Sequence, residues 1–380
     1  MHVVHVIAGL GVGGAELMLH RLAATSARGS EGLYRHTVIS LGEVGVVGEL
    51  MRAEGVAVEA LGMRTALQAP IVLWRLRNRL RALAPNVVQT WMYHADLLGG
   101  LAARLAGIPR VIWGIRTSTM VKGTSRSTAF VRWLCARLSA QVPAVIVCAA
   151  EAARRVHEEI GYDARRMVVI PNGFELPESP SDSSTRELRA GLGWTGDEVV
   201  VGTVGRFDPY KDYATFVAAS ALVAKREPRA RFLMIGRGLD QGNAELTGWI
   251  ARAGLAERFV LLGGRSDVNA CLAAMDVFVL PSRSEGFPNV VGEAMAAGVP
   301  CAVTDVGDAA LLVGDTGEVA RPLDAASLAA AIGTLLAMPA AERRARGARG
   351  RERIRAEFSM DRARERFLAV HARVAAMAPA

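Results

Sequence analysis

Short apolar runs alternate with stretches of helical periodicity along almost the whole first half of the chain. The apolar runs are continuous, which is typical of parallel strands that are covered by helices on both faces. The sequence therefore predicts a parallel, doubly wound α/β sheet in this half. Its strands are expected at 3–8, 36–41, 56–61, 87–90, 111–114, 144–148 and 167–170, and its helices at 17–24, 71–83, 96–106, 129–138 and 151–160.

A second series with the same alternation begins near residue 199. Between the two series, residues 171–197 contain Pro177, Pro180 and a Ser/Asp-rich run, a composition that predicts an interdomain connection. The chain should thus form two facing Rossmann-like domains with a cleft between them. The second series places strands at 199–204, 231–235, 259–262, 277–280 and 301–303, and helices at 213–225, 244–253, 268–274 and 326–336.

The expected domain limits are 1–172 and 173–359, and a helical, Arg-rich tail from 340 to 376 ends the pattern. Phe358 and Ser359 interrupt the helical periodicity of this tail. A final helix at about 360–380 is therefore expected to pack back onto the first domain.

Composition and charge narrow the range of partners. The chain has 380 residues, a hydrophobic fraction of 51% and a formal net charge of +8, which suits two globular domains with anionic ligands. It has no motif that reads DNA or RNA, so a phosphorylated ligand or an acidic membrane surface is favoured over nucleic acid. The four cysteines lack metal-type spacing, and no signal peptide or membrane-spanning run is recognisable. A cytoplasmic protein without a metal site is expected.

A glycine motif follows the first strand. Gly9, Gly11 and Gly14 satisfy the G-x-G-x-x-G pattern of dinucleotide-binding proteins, which is a weak signal by itself. An NAD-dependent enzyme would also need an acid at the end of the second strand, and Glu43 lies beyond the usual spacing of about 20 residues. An NAD-type oxidoreductase remains an alternative.

The segment that follows the strand at 277–280 carries two carboxylates. Glu285 lies in a loop rich in Gly, Pro and Ser, and Glu293 lies about one turn into a predicted helix that Asn289 opens. The N–H groups of a helix start favour an anion such as a diphosphate, whereas carboxylates favour hydroxyl groups. A diphosphate between two polyols is a nucleotide-sugar. Two solvated acids around an ordinary loop would give the same spacing.

Three further residues occupy predicted strand ends. Arg206 and Lys211 follow the first strand of the second half, so they are expected at the same sheet edge as Glu285, where two cations can clamp a diphosphate. His94 follows the strand at 87–90 and is expected at the corresponding edge of the first half. The alternatives are ordinary surface charges and a structural histidine.

Together these motifs resemble the retaining nucleotide-sugar glycosyltransferases of family 4, which have two facing Rossmann-like domains in the GT-B fold. The resemblance covers nearly the whole chain, and its most specific part is the pair Glu285-x7-Glu293. It also rests on Gly13-Gly14-Ala15-Glu16, His94, Pro171-Asn172-Gly173, the Arg206/Lys211 spacing, Pro281-Ser282 and Gly298-Val299-Pro300.

The resemblance implies a role for each matching residue. Gly14 would lie against the sugar-phosphate part of the donor, and His94 would contact the transferred sugar. Arg206 and Lys211 would hold the diphosphate. Glu285 would bind the sugar hydroxyls, with the backbone of Phe287, Asn289 and Val290 beside it. Glu293 would bind the ribose, and Arg265 would lie beside the base. Gly13 and Asn172, in the two matching glycine motifs, are also implied to contact the donor.

The implied reaction transfers a hexose or N-acetylhexosamine from a nucleotide-sugar, expected to be UDP-linked, to a glycan or lipid-linked acceptor in envelope polysaccharide or glycoconjugate synthesis. The configuration would be retained, and Arg206, Lys211 and the helix start would supply the positive charge in place of a metal ion. No cofactor besides the donor is implied. A non-catalytic nucleotide-sugar binder is a further alternative, and the acceptor stays open.

A few positions depart from the family pattern and leave the identity of the donor open. Asp212 and Asp308 stand where glycine is common, and Phe174-Glu175 replaces the usual Val-Asp after Pro-Asn-Gly. The apolar run 309–313 replaces a downstream acid.

Two predicted helices of the first domain combine tryptophan with arginine. Residues 71–83 contain Trp74 with Arg75, Arg77, Arg79 and Arg81, and residues 130–138 repeat this mixture. An amphipathic helix packed on its sheet explains either stretch alone. The basic charge and the lipid-linked acceptors of the family favour reversible contact with an anionic membrane, at the inner face of the cytoplasmic membrane.

Overall fold

The computed structural model describes residues 1–29, 34–117, 125–177, 182–194 and 196–377. The chain divides into two compact units. Unit 1 comprises Met1–Gly173 together with Met360–Ala380, and unit 2 comprises Phe174–Ser359. Each unit is built on a parallel sheet, so the predicted α/β class with two sheets is confirmed.

Unit 1 contains a seven-stranded sheet with the order β3-β2-β1-β4-β5-β6-β7. Its strands are β1 His2–Ile7, β2 Arg35–Ser40, β3 Ala57–Ala60, β4 Val87–Trp91, β5 Val111–Ile115, β6 Val145–Cys148 and β7 Met167–Val169. Its first six helices are α1 Gly14–Gly29, α2 Gly45–Ala53, α3 Ala69–Leu83, α4 Tyr93–Leu105, α5 Arg126–Leu138 and α6 Glu151–Glu159.

Unit 2 contains a six-stranded sheet with the order β10-β9-β8-β11-β12-β13. Its strands are β8 Val199–Val204, β9 Ala230–Ile235, β10 Phe259–Leu261, β11 Val277–Leu280, β12 Cys301–Thr304 and β13 Glu318–Ala320. Its helices are α7 Asp182–Gly191, α8 Tyr213–Arg226, α9 Ala244–Arg252, α10 Val268–Ala273, α11 Asn289–Ala296, α12 Ala309–Val313, α13 Ala325–Ala337 and α14 Ala340–Glu357. The last helix, α15 Met360–Ala375, belongs to unit 1.

In each sheet the strand order reverses beside the first strand. β1 lies between β2 and β4, and β8 lies between β9 and β11, so the connections diverge at these two places. Ligands of open α/β sheets bind outside the carboxyl ends of the strands at such a reversal, because the diverging loops leave a crevice there. Ligand-binding sites are therefore expected at the loops after β1 and β4 in unit 1 and at the loops after β8 and β11 in unit 2.

Helix α15 completes the core of unit 1. Phe367 and Val374 are fully buried, and the Phe367 ring lies 5.9 Å from the ring of Trp91 on β4. His371 Nε2 lies 2.5 Å from Gln89 Oε1 on the same strand. The last helix therefore contributes both apolar and polar contacts to a sheet that is formed some 280 residues earlier in the chain.

Apart from short 3-10 turns, the predicted pattern lacks four elements of the described residues, namely α2, α7, α12 and β13. Helix α7 lies inside the segment 171–197, so this segment is not a connection throughout. Arg189 of α7 lies 2.8 Å from the carboxylate of Asp276, and this ion pair fixes the helix to unit 2. The Ser/Asp-rich run leads into a helix, and Pro180 lies outside the described residues.

The four cysteines are buried as free thiols. Within the described ranges, no group of three or more His, Cys, Asp or Glu side chains is placed to hold a metal ion. In the same ranges no single helix has the length and apolar character of a membrane span, although α13 and α14 together have them as a pair bent by 111°.

Candidate functional site

The loops after β8 and β11 bring a lysine and a glutamate together at the switch point of unit 2. Lys211 Nζ lies 2.6 Å from Glu285 Oε1, and the same carboxylate oxygen accepts a hydrogen bond of 2.7 Å from Ser282 Oγ. The exposed fractions of the Lys211 and Glu285 side chains are 21% and 13%. Glu285 is therefore held in one orientation by two donors from two different loops.

Arg206 lies in the same loop as Lys211 but contacts a different acid. Its Nε lies 3.0 Å from Asp208 Oδ2, and its side chain is 62% exposed. Asp208 also accepts a hydrogen bond of 2.9 Å from the Tyr210 N–H, which caps the short 3-10 turn Pro209–Lys211. The two predicted cations thus share one loop, and of the two it is Lys211 that contacts Glu285.

Helix α11 begins at Asn289, as the sequence predicts. Pro288 precedes it, and this N-cap residue makes no side-chain hydrogen bond to the first turn. Val290 lies in that turn and Glu293 follows in the next one. The dipole and the N–H groups of a helix start favour an anion, so the arrangement suits the predicted diphosphate. Its role in binding stays a prediction.

An aromatic ring supports α11 from the side of the core. Phe174 is 2% exposed, and a Cβ atom added at Gly292 of α11 would lie 2.1 Å from its ring. The ring of Phe287 stacks on Phe174 at a centroid distance of 6.0 Å. Phe174, which departs from the family pattern, therefore packs against the helix and the loop that carry the two predicted carboxylates.

A second departure, Asp308, stabilises the same loop through its backbone. Its N–H donates a hydrogen bond of 2.9 Å to the Gly286 carbonyl. The preceding Gly307 has a φ of +58°. A Cβ atom there would lie 2.4 Å from the backbone carbonyl oxygen of Gly286 and 2.6 Å from that of Glu285. The loop after β12 therefore packs tightly on the loop that holds Glu285, and Gly307 is required for this approach.

The third departure, Asp212, adopts a backbone conformation that favours glycine. Its φ is +49°, and it directly follows Lys211 at the start of α8. The buried carboxylate accepts hydrogen bonds of 2.8 Å from Arg283 Nη2 and 2.8 Å from Thr215 Oγ1. These contacts compensate for the strain of a left-handed non-glycine residue, which is about 1–2 kcal/mol.

We expect Asp212→Ala to destabilise unit 2 more than Asp212→Gly. Alanine keeps the strain and loses both hydrogen bonds, which should lower the free energy of unfolding by about 2–3 kcal/mol. Glycine also loses the bonds but removes the strain, so a loss of about 1 kcal/mol is expected. Urea unfolding of both variants measures the difference. Equal losses would mean that the left-handed backbone at this position carries no strain.

The remaining predicted residue of unit 2, Arg265, follows the edge strand β10. Its guanidinium makes two hydrogen bonds of 2.7 and 2.5 Å to the carboxylate of Asp267. The loop is drawn toward the centre of the sheet, because the Gly236 N–H donates to the Gly263 carbonyl at 2.7 Å. Arg265 is thus at the expected sheet edge, in an ion pair of its own.

In unit 1 the predicted residues lie at the switch point between β1 and β4. Gly13 precedes α1, Gly14 opens it, and a Cβ atom added at Gly13 would lie 2.4 Å from the Glu16 carboxylate. His94 lies in the first turn of α4, two residues after the N-cap residue Met92, whose φ is +74°. A non-glycine residue with this φ is strained, and such strain is often found at functional sites.

His94 lines a pocket of about 290 Å³ between the beginnings of α3, α4 and α5. Burial lowers the pKa of His94 below its usual value. The pocket is lined mainly by apolar side chains and one cation, namely Met63, Arg64, Ala66, Ala69, Leu97, Leu98 and Val131. An uncharged imidazole beside apolar groups suits contact with a neutral or amphipathic ligand.

The sequence analysis missed Arg116, which follows β5 at the same edge. Its guanidinium donates to Asn172 Oδ1 and lies 5.0 Å from the centre of the Trp91 ring. Burial lowers the pKa of Arg116 to about 10, and its Nη1 has no hydrogen-bond partner among the described residues. Asn172 is therefore placed as the acceptor of a buried cation. A charged residue directly after an apolar strand is the signal that could have identified Arg116.

Two family models match the chain and together span most of it. The model described as Glycosyltransferase Family 4 matches residues 12–177, and the model described as Glycosyl transferases group 1 matches residues 198–338. The first match falls on unit 1 apart from its last four residues, and the second falls on unit 2.

Individual proteins show the same similarity. The 2-deoxystreptamine glucosyltransferase of Streptomyces kanamyceticus is 30% identical over 79% of this chain and 80% of its own length. The UDP-Gal:alpha-D-GlcNAc-diphosphoundecaprenol alpha-1,3-galactosyltransferase of Escherichia coli is 30% identical over 58% of each chain. The crystal structure of Anabaena Alr3699/HepE in complex with UDP superimposes with a TM-score of 0.85 at 22% identity, covering 98% of this chain and 100% of the other.

Proposed function

The chain belongs to glycosyltransferase family 4 and has the GT-B fold, and from this premise we propose that it transfers a hexose or N-acetylhexosamine from a UDP-sugar. The acceptor we propose is a glycan or a lipid-linked saccharide in the synthesis of envelope polysaccharide or a glycoconjugate. The observation that carries this proposal is the Lys211–Glu285 pair beside the start of α11.

This arrangement can receive a nucleotide-sugar in one orientation. The diphosphate would bind at the start of α11 with Lys211 and Arg206, because cations and the N–H groups of a helix start stabilise phosphate oxygens. Glu285, whose orientation Ser282 and Lys211 fix, would accept hydrogen bonds from sugar hydroxyls. Glu293, one turn into the helix, would accept from the ribose. The UDP in the structure of the Anabaena protein supports this choice of nucleotide.

The chemical step breaks the bond between the anomeric carbon and the diphosphate oxygen and forms one to the acceptor oxygen. We propose that the acceptor attacks from the face that the diphosphate leaves, so that configuration is retained, and that a diphosphate oxygen takes the acceptor's proton. Lys211, Arg206 and the helix start would stabilise the negative charge that develops on the leaving group, without a metal ion. We expect NMR to show that the product keeps the anomeric configuration of the donor. We also expect full activity in the presence of EDTA.

For the acceptor we propose the pocket that His94 lines in unit 1. Its apolar wall and Arg64 suit an amphipathic saccharide with an anionic group. The E. coli relative supports this class, since its name specifies a saccharide that is linked to diphosphoundecaprenol. His94 itself is proposed to contact the transferred sugar.

A thermal-shift screen with UDP, GDP, ADP and NAD tests the proposal. A ligand present at 100 times its Kd stabilises the folded state by about 2.7 kcal/mol, so a UDP-specific rise in Tm is expected. Release of UDP from a panel of UDP-sugars, with a lipid extract as acceptor, then tests turnover. Stabilisation by NAD alone would instead support an oxidoreductase, and UDP binding without turnover would support a non-catalytic binder.

The two glutamates should affect binding differently. We expect Glu293→Gln to weaken UDP and UDP-sugar alike by about tenfold, because a charge-assisted hydrogen bond to the ribose is lost from both. Glu285→Gln should change UDP affinity by less than about threefold and depress transfer, because its proposed contacts are to the sugar. Calorimetric titration with UDP measures both variants. Equal losses of UDP affinity would remove this division of roles.

A further inference from the structure

The most exposed aromatic side chains of the described residues lie on two helices of unit 1. Trp74 of α3 is 60% exposed, and Phe130 and Trp133 of α5 are 60% and 50% exposed. Leu67, in the 3-10 turn Ala66–Gln68 before α3, is 91% exposed, and Ile71, in the first turn of α3, is 64% exposed. Both helices pack against α4. Large apolar side chains that are exposed on two helices beside the same third helix suggest an interaction surface.

Packing against the sheet does not account for these side chains. The buried residues of α3 are Val72, Leu76 and Leu80, and those of α5 are Cys135 and Ala136. The exposed aromatic residues lie on the opposite faces of the same helices. Each helix therefore presents large apolar side chains on the face opposite to its buried residues.

The same faces are strongly basic. Helices α3 and α5 contain seven arginines and no Asp or Glu. One of these charges is neutralised, because Arg79 forms an ion pair of 2.5 Å with Glu59. Arg77 lies 4.7 Å from the centre of the Trp74 ring, and Arg137 lies 5.2 Å from that of Trp133. These cation–π contacts place guanidinium groups and indole rings side by side at the surface.

We propose that this α3–α5 surface, defined by Leu67, Ile71, Trp74, Phe130, Trp133 and the arginines of both helices, docks on an anionic lipid bilayer. Indole rings prefer the boundary between headgroups and acyl chains, and guanidinium groups bind phosphate in a bidentate manner. Because neither helix contains an Asp or Glu, the positive charge of their arginines complements anionic headgroups. The inference goes beyond sugar transfer and does not depend on the donor site in unit 2.

Cosedimentation with vesicles tests this proposal directly. The full chain is expected to bind vesicles that contain phosphatidylglycerol at low salt, and to bind pure phosphatidylcholine vesicles much more weakly. Each arginine near an anionic surface strengthens binding about fivefold, so Arg75→Gln/Arg77→Gln/Arg81→Gln should lower the partition coefficient by about 100-fold. A rise to 0.5 M salt should have a similar effect on the wild type.

A matched control separates this surface from general basicity. Arg344→Gln/Arg349→Gln/Arg355→Gln removes the same charge from α14 of unit 2 and should leave vesicle binding unchanged. Trp74→Ser/Trp133→Ser should weaken binding at constant charge. Equal losses in the two arginine variants, or no binding by the wild type, would overturn the proposal. Circular dichroism spectra and thermal unfolding curves that match those of the wild type confirm that every variant is folded in both units.

Discussion

Unit 1 is expected to unfold between pH 6.5 and pH 5, under conditions in which unit 2 stays folded. All seven histidines of the chain lie in unit 1, and three of them form a buried cluster. His5 Nε2 lies 2.9 Å from His36 Nδ1, and the rings of His5 and His371 are 6.1 Å apart. Trp91 Nε1 donates to His5 Nδ1 at 3.2 Å, so the cluster joins β1, β2, β4 and α15.

Burial lowers the pKa of each of these histidines. It lowers the pKa of His36 to about 4 and that of His371 to about 3, and it holds the pKa of His5 well below its usual value. In the unfolded chain the same groups titrate near pH 6.5, so the unfolded state binds more protons below that pH. Stability therefore falls as the pH falls, by about 1.4 kcal/mol per pH unit for each histidine.

The expected loss is large because three histidines act together. Between pH 6.5 and pH 5 they remove about 5 kcal/mol, which is comparable to the whole stability of a typical domain. Two other buried groups of unit 1 oppose each other. Burial lowers the pKa of His157 to about 4, which adds to the loss, and raises the pKa of Asp96 to about 8, which offsets it.

Hydrogen exchange at pH 7.5, 6 and 5, after correction for the intrinsic pH dependence, can follow the two units separately. Peptides of unit 1 should lose protection at pH 5, and peptides of unit 2 should keep it. His371→Gln removes one titrating group and should reduce the pH dependence of unit 1 by one proton, whereas His20→Gln, outside the cluster, should leave the dependence as it is. Parallel loss of protection in both units would show that the histidine cluster does not control acid stability.

The sequence predicts those parts of the fold that depend on local patterns. The apolar runs at 199–204 and 277–280 coincide with β8 and β11, because a buried parallel strand is continuous and apolar. Helix α7 was not predicted, because Ser and Asp near a helix start have the same composition as a linker. Helices and strands with a short or mixed sequence pattern could therefore be identified only in the tertiary structure.

Contacts between distant residues could not be predicted in the same way. The sequence places Lys211 and Glu285 at one sheet edge, but it assigns them to different parts of a ligand. In the structure they form an ion pair across 74 residues of sequence. The histidine cluster likewise joins β1, β2 and α15, and each histidine alone would be taken for an ordinary core residue. The position of a residue after a strand predicts the sheet edge at which it lies, but its contact with another side chain depends on the packing of the folded chain.

Replacement of Lys211 by methionine is expected to lower kcat/KM by about 100- to 1000-fold. The variant loses a cation from the diphosphate site, where a contact to the developing charge is worth about 3–4 kcal/mol. It also leaves Glu285 largely buried without the ammonium group that lies 2.6 Å away. Arg206→Met should have a smaller effect, about 30-fold, because the Arg206 side chain is 62% exposed and pairs with Asp208.

A double variant separates the two causes of the loss at Lys211. In Lys211→Met/Glu285→Gln no carboxylate remains at position 285 to repel the diphosphate, so UDP binding should recover relative to Lys211→Met while transfer stays slow. Lys225→Met, on the exposed face of α8, removes an equal charge from unit 2 and should turn over like the wild type. Calorimetry with UDP and initial rates of UDP release measure the two effects independently. If Lys211→Met retained wild-type turnover, the leaving group would have to be stabilised by other residues, and the assignment of Lys211 to the diphosphate would be wrong.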